Sequence, residues 1–335
     1  MSIKVLRPGL LTTIQDLGRY GYQKYGVIVS GAMDTYAHRM ANILVGNNEG
    51  EGCLEITLTG PTLEIKTDVL LSITGGNLSP SIGNRQLPLW RPVFVKKGSI
   101  IRFGKGLSGC RAYVAVAGGF NVADVMGSKS TYIRAEIGGF HGRALQEGDE
   151  IRIGKGESAH FHYFSNTLKK SGTKLFYAPT WRTKSHVNQA KNEVLIRVMQ
   201  GTHHDLFTEE AQKQFFTSSF HVTPQSDRMG YRLKGPQLEL NKEYDVISEA
   251  VPLGTIQVPS DGNPIILLAD RQTTGGYPRI GQVISVDIPK LAQLKPGEKI
   301  VFNEVTLEEA ENLYLMRERE FKDVKMGIWL KWLND

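Results

Sequence analysis

Between Ala269 and Pro278 the chain reads ADRQTTGGYP, a polar, glycine-rich stretch set between two apolar runs. Asp270, Arg271, Gln272, Thr273, Thr274 and Tyr277 place a carboxylate, a guanidinium, an amide and several hydroxyls side by side. Groups of these types can hold an anion or orient a polar substrate. Gly275 and Gly276 remove two Cβ atoms, which permits unusual backbone angles and close approach of another molecule. The plainer alternative is a hairpin loop whose Asp and Thr side chains satisfy local amides. The residues alone leave both readings open.

The flanking runs say how such a loop would be held. Ile265 to Leu268 is continuously apolar, as in a strand buried on both faces. Gly281 to Ile288 alternates, with Val283, Ser285 and Asp287 on one phase and Gln282, Ile284, Val286 and Ile288 on the other. The loop is therefore expected to join two strands at one sheet end. A turn-then-strand pattern recurs as KKGSIIRF from Lys96, QEGDEIRI from Gln146 and KPGEKIVF from Lys295, as in meander-type β folds. GPTLEI at Gly60 is echoed by GPQLEL at Gly235, DLGRYGY at Asp16 by DRMGYRL at Asp227, and AVAGGF at Ala115 by TTGGYP at Thr273. The order is the same in both halves, which suggests two related β domains.

Helices are expected to be few. Asp34 can cap one through Leu44, with Gly46 just beyond. Thr306 and Glu309 match a capping box that opens a helix to about Phe321. A short helix fits Thr208 to Phe216. The reading is a mainly β protein with helical trim.

At 335 residues the chain has room for two cores. The expected division is 1–165, a basic linker at 166–190, and 191–335. No apolar run reaches membrane-spanning length, and MSIKVLRPGLL lacks the pattern of a secretory signal. Cys53 and Cys110 are too few for a disulfide framework, so a reducing cytoplasm is the expected setting. The net charge of +6 is matched by Lys169, Lys170, Lys174, Arg182, Lys184 and Lys191, in a segment without acids. It lacks the dense basic clusters of a nucleic-acid binder and reads as a solvated linker, with docking of an anionic partner or substrate as the alternative.

Several chemical motifs are absent. Gly98 to Gly104-Lys105 and Gly148 to Gly154-Lys155 each have one residue too many for a P-loop, and Gly follows each Lys. There is no G-x-S-x-G nucleophile elbow. His160 and His162 could share one side of a strand, and His203 and His204 are adjacent, but no carboxylate or Cys framework with ligand spacing accompanies them. No metal site is expected. Val324-Lys325-Met326 matches half of a biotin-attachment motif without the preceding Met, so no biotin is expected on this chain.

SDRMGYRLKGPQLE from Ser226, SEAVPLGTIQVPSDGNPIILLADRQTTGGYPRIGQVISVDIPKLAQLKPGE from Ser248, TIQDLGRYGYQKYGV from Thr13, SGAMDTYAHRMANILVGN from Ser30 and EITLTGP from Glu55 together resemble the KipA family. That family includes the C component of the bacterial ATP-dependent 5-oxoprolinase, the second subunit of allophanate hydrolase-like enzymes and the carboxyltransferase part of urea carboxylase. The resemblance covers nearly the whole chain. It departs at Thr202-His203, where the family often has Pro-Gln, and no role is assigned there.

The resemblance implies two cyclophilin-like β barrels in tandem. It also implies pairing with a KipI-type subunit, the B component of 5-oxoprolinase, and with a third subunit, the A component. The implied reaction is 5-oxoproline, ATP and water giving L-glutamate, ADP and phosphate, with ATP as co-substrate accompanied by Mg. Asp270, Gln272, Thr273 and Arg228 are then the candidate catalytic residues. Ser248, Gln257, Arg271, Gly275, Gly276 and Tyr277 are the candidate substrate-binding residues. The arginines, Gln257, Gln272 and Thr273 would donate to phosphate or carboxylate, while Asp270 would orient a donor or hold a metal-bound nucleotide. Two alternatives stay open: a regulatory protein that antagonises a KipI-type inhibitor of a sensor histidine kinase in sporulation control, and a subunit for biotin-dependent carboxyl transfer.

Overall fold

The structure is a computed structural model that describes residues 1–156, 159–170, 175–187, 193–242, 244 and 246–334. The chain divides into two compact units. The first comprises Met1–Arg19, Ser30–Gln189 and Phe321–Asp335; the second comprises Tyr20–Val29 and Ala190–Glu320. Neither unit is continuous in sequence, an exchange of segments that a linear division at 165 and 190 does not contain.

The first unit carries β1 (Ser2–Arg7), β2 (Leu11–Gln15), β3 (Cys53–Thr57), β4 (Thr62–Ile65), β5 (Val69–Asn77), β6 (Ser81–Ile82), β7 (Arg85–Gln86), β8 (Pro92–Val95), β9 (Ile100–Arg102), β10 (Ser108–Val116), β11 (Glu150–Arg152) and β12 (Phe176–Tyr177). They form two six-stranded sheets, ordered β11-β1-β4-β9-β6-β7 and β12-β8-β5-β10-β3-β2. The period of two decides the packing. Ala112, Val114 and Val116 of β10 and Leu71 and Ile73 of β5 turn toward Ile3, Val5, Leu63, Ile65 and Ile101 of the other sheet. Tyr113 and Ala115 turn the opposite way, toward helix α1 (Thr35–Val45). On that face Ser72 and Thr74 donate to the helix carbonyls of Ala41 and Ala37, both at 2.7 Å.

Helix α1 is fixed by the residues that its sequence nominates. Asp34 Oδ1 accepts from Ala37 N at 2.9 Å, and Gly46 ends the helix at φ 78. Helix α2 (Ala159–Lys170) holds His160 and His162, so that pair lies in a helix and not in a strand. With β12 it also occupies part of the segment expected to be linker. Lys174 and Lys191 of that segment lie outside the described residues.

The second unit contains β13 (Glu193–Gln200), α3 (Glu209–Thr217), β14 (Ser219–Val222), β15 (Gly230–Lys234), β16 (Glu249–Ala250), β17 (Thr255–Gln257), β18 (Ile265–Leu267), β19 (Thr274–Gly275), β20 (Arg279–Val283), α4 (Ile288–Ala292) and β21 (Lys299–Glu304). Seven strands close a barrel in the order β13-β20-β17-β18-β15-β14-β21, sealed by the parallel β13–β21 ladder. Phe215, Phe220 and Phe302 stack inside it, with Phe215 and Phe302 centroids 4.6 Å apart. The mainly β architecture is as expected: this unit is a closed barrel, and the first wraps two six-stranded sheets around one core.

The three recurring turns share one geometry. Gly98, Gly148 and Gly297 sit at φ 83, 89 and 89, and the next residue donates to the carbonyl three positions back. Each precedes a strand: β9, β11 and β21. The capping box also forms, with Thr306 N donating to Glu309 Oε2 at 2.7 Å and Glu309 N to Thr306 Oγ1 at 3.2 Å. The helix it opens, α5 (Leu307–Asn334), runs well past Phe321. No helix of the described residues is long and apolar enough to cross a membrane.

Candidate functional site

The loop after β18 is anchored by an ion pair reaching back to the turn before β15. Arg228 Nε donates to Asp270 Oδ2 at 2.8 Å and Nη2 to Oδ1 at 3.0 Å. Their side chains are only 7% and 13% exposed, so this fork-to-carboxylate contact is largely shielded from water. Asp270 N in turn donates to Arg228 O at 2.8 Å, which closes a ring of three bonds. Asp270 is thus paired with the Arg228 guanidinium through both carboxylate oxygens. Arg228 is placed for that pairing because β15 and β18 are ladder neighbours, Gly230 opposite Leu267. Asp227 tightens the turn by accepting from Met229 N and Gly230 N at 2.8 and 3.2 Å. The echo DLGRYGY has the same local cause, with Asp16 Oδ1 accepting from Gly18 N at 2.8 Å.

Arg271 is tethered inward, its Nε donating to Val251 O at 3.0 Å and Nη1 to Leu268 O at 3.4 Å. Burial lowers its pKa, and the nearby Tyr20 opposes that shift. Arg271 is therefore anchored to backbone carbonyls through Nε and Nη1. Thr274 and Gly275 form a two-residue ribbon, β19, against β16. The loop is thus not one plain connection between two strands, and β20 ends at Val283 although the alternation predicts a strand to Ile288. Asp287 instead precedes α4, fully buried, and accepts from Arg197 and Lys290.

Neither Gly275 nor Gly276 lies in the left-handed region, so unusual angles do not explain them. What they allow is close approach from within the unit. A Cβ on Gly275 would meet Gln257 Nε2 at 2.5 Å, and one on Gly276 would meet Ser248 Oγ at 3.2 Å. Gln257, 1% exposed, therefore lies directly beneath the ribbon. Ser248 lies beside it, next to Glu249, whose carboxylate accepts from Arg279 Nη2 at 2.6 Å. Gln272 is exposed, Thr273 half-buried and Tyr277 exposed. Among the described residues the side chains of Gln272, Thr273, Tyr277 and Ser248 form no hydrogen bond. The arrangement is layered: an inner Arg228–Asp270 clamp with Gln257 below the glycines, and an outer rim of uncommitted donors. Such a rim can receive an anionic or carbonyl oxygen.

His203, to which the sequence assigns no role, accepts from Arg279 N at 3.2 Å through Nδ1. The described residues contain no group of three or more His, Cys, Asp or Glu able to hold a metal. In the first unit, two buried polar clusters escape a reading of the sequence. Tyr113 donates to Glu55 at 2.6 Å, and Glu55 accepts from Met33 N at 2.9 Å. Burial pushes the Tyr113 hydroxyl well above its usual pKa. Asp16 accepts from Ser128, Ser130 and Lys129 N, while the buried Arg19 donates to Val125 O and Ser130 O. Only the echo of DLGRYGY hints at the second.

The family described as carboxyltransferase domain, subdomain A and B, matches residues 25–304. The chain belongs to that family. Among curated relatives, this carboxyltransferase-family chain is 35% identical to the C component of 5-oxoprolinase from Escherichia coli over 322 residues, covering 96% of this chain and 97% of that protein. It is also 35% identical to the C component of 5-oxoprolinase from Haemophilus influenzae, over 90% of both. Among solved structures, the urea amidolyase of K. lactis superposes with a TM-score of 0.84 at 32% identity, covering 96% of this chain and 20% of that one.

Proposed function

We propose that the chain acts as the C-type component of an ATP-dependent 5-oxoprolinase, opening 5-oxoproline to L-glutamate in a complex with a KipI-type protein and a third component. The observation that carries this reading is the 35% identity over nearly the full length of two proteins named as the C component of 5-oxoprolinase. The chemistry asks for a site that binds oxygen-rich groups. A lactam is a poor electrophile; transfer of the terminal phosphoryl group of ATP to its carbonyl oxygen converts that oxygen into a leaving group. Water then attacks the carbon and the ring C–N bond breaks, the nitrogen taking up a proton, which leaves an acyl phosphate; a second water hydrolyses it to the carboxylate of glutamate and inorganic phosphate. Arg228, fixed by Asp270, supplies positioned positive charge, and Gln272 and Thr273 supply donors that need not first release a protein partner. Both Asp270 oxygens already accept from Arg228, so no step is assigned to a protein-held metal, and Mg would arrive with the nucleotide.

The test is reconstitution of the three components with 5-oxoproline and ATP, with this chain present or omitted. Glutamate release that requires the chain is the expected result; equal release without it refutes the assignment. The carboxyltransferase family match and the likeness to K. lactis urea amidolyase favour a second reading, carboxyl transfer from carboxybiotin on a partner. Avidin separates the two, since it would stop carboxyl transfer and leave ATP-dependent lactam opening untouched.

A further inference from the structure

The first unit holds a cavity of about 550 Å³ that takes no part in the site above. Its floor comes from the segment leading into β8, including Arg91. It is also lined by residues 182–185 and 187, part of the basic stretch whose composition reads as a solvated linker. We propose that this cavity binds a phosphoryl group, with Arg91, Arg182 and Lys184 supplying the charge.

Among the described residues, three cations and no carboxylate line the cavity. Arg91 Nη1 donates to Pro179 O at 2.7 Å and to Thr180 O at 3.1 Å, which fixes its guanidinium. Its Nε is buried and finds no hydrogen-bond partner among the described residues. Burial, and then the neighbouring charge of Arg182, lower the pKa of Arg91. Two guanidinium groups brought together without an acid between them repel, and an oxyanion removes the repulsion.

That lining segment is pinned where it needs to be. Thr183 donates to Trp90 O through its backbone N at 2.9 Å and its hydroxyl at 3.2 Å. Trp90 itself stands at φ 60, a conformation that a large side chain rarely adopts and that the surroundings must hold. Hence Arg182 and Lys184 are presented from a fixed strap. The charge favours a phosphoryl dianion over a lone carboxylate, and the planar guanidinium fork matches its oxygens. The volume exceeds that of one phosphate group, and Leu87, Pro88 and Leu89 offer an apolar wall for the rest of a phosphorylated small molecule. The inference does not rest on the reaction proposed above.

Titration calorimetry on the full chain at constant ionic strength, with inorganic phosphate in one arm and ATP in the other, provides the test. We expect saturable one-to-one binding of phosphate that weakens about tenfold or more in Arg182→Ala, from losing one charged donor. Arg182 is exposed, so this variant should keep the wild-type melting temperature, and Lys97→Ala, exposed and outside the cavity, should bind phosphate normally. Tighter binding of ATP than phosphate, also lost in Arg182→Ala, would support the site and identify a nucleotide as the source of the group. Binding of phosphate but not ATP would support it with a smaller ligand. Absence of saturable binding in both arms, or equal weakening in Lys97→Ala, would overturn the proposal.

Discussion

Replacing Asp270 with Asn, Arg228 with Gln, and then both together separates what the clamp does for folding from what it does for chemistry. The pair is nearly sealed from solvent and joined by two side-chain bonds of 2.8 and 3.0 Å. Removing one member of a buried pair costs about 3–5 kcal/mol when the remaining charge is left uncompensated. Asn retains one acceptor, so Asp270→Asn should cost about 2 kcal/mol, and Arg228→Gln, which loses the fork, about 3 kcal/mol. The backbone bond from Asp270 N to Arg228 O survives both changes. The double variant should therefore be less destabilised than the sum of the singles, with a coupling of about 1–2 kcal/mol. A chain of two units need not unfold in one step, so the assay is amide exchange at Tyr231 and Ile266, paired across β15 and β18. Additive singles, or a change under about 0.5 kcal/mol for Asp270→Asn, would refute the clamp as a structural element.

Three further outcomes follow from named groups. Gln272→Ala should lower ATP-dependent glutamate release by about tenfold, or roughly 1.4 kcal/mol, while leaving melting unchanged because the side chain is exposed; wild-type turnover would move the chemistry off this loop. Asp287 is fully buried; burial alone would raise its pKa, but bonds from Arg197 and Lys290 prevail and hold it below the ordinary carboxylate value. Its folded pKa is depressed, so its contribution is present above about pH 4 and is lost as pH falls through the folded value. Urea unfolding of wild type and Asp287→Asn should accordingly converge as pH drops from about 6 toward about 3, and a constant gap would contradict the assignment. Gly297→Ala places a Cβ in open space but at φ 89, so strain alone should cost about 1 kcal/mol, with Gly148→Ala losing a similar amount; stabilities within a few tenths of wild type would discount the shared turn.

Local chemistry wrote much of this protein into its sequence. The caps at Asp34 and Thr306, the end of α1 at Gly46 and the three glycine turns each depend on residues within a few positions, and all appear where the sequence places them. The polar loop after β18 was legible for the same reason, since a cluster of donors and two glycines needs no partner to be noticed. What only the tertiary structure decided involves residues far apart in the chain. Asp270 meets Arg228 across 42 positions, and Gly275 is small for the sake of Gln257 rather than for its own backbone angles. The strand expected to reach Ile288 stops at Val283, and Asp287, which alternation assigned to a strand face, is drawn to Arg197 ninety residues earlier. The basic stretch near residue 180 carries the same lesson. Its charges suggested solvent, and Arg182 and Lys184 are indeed exposed, but hydrogen bonds from Arg91 and Thr183 also hold the segment beside a cavity, a placement that composition does not reveal.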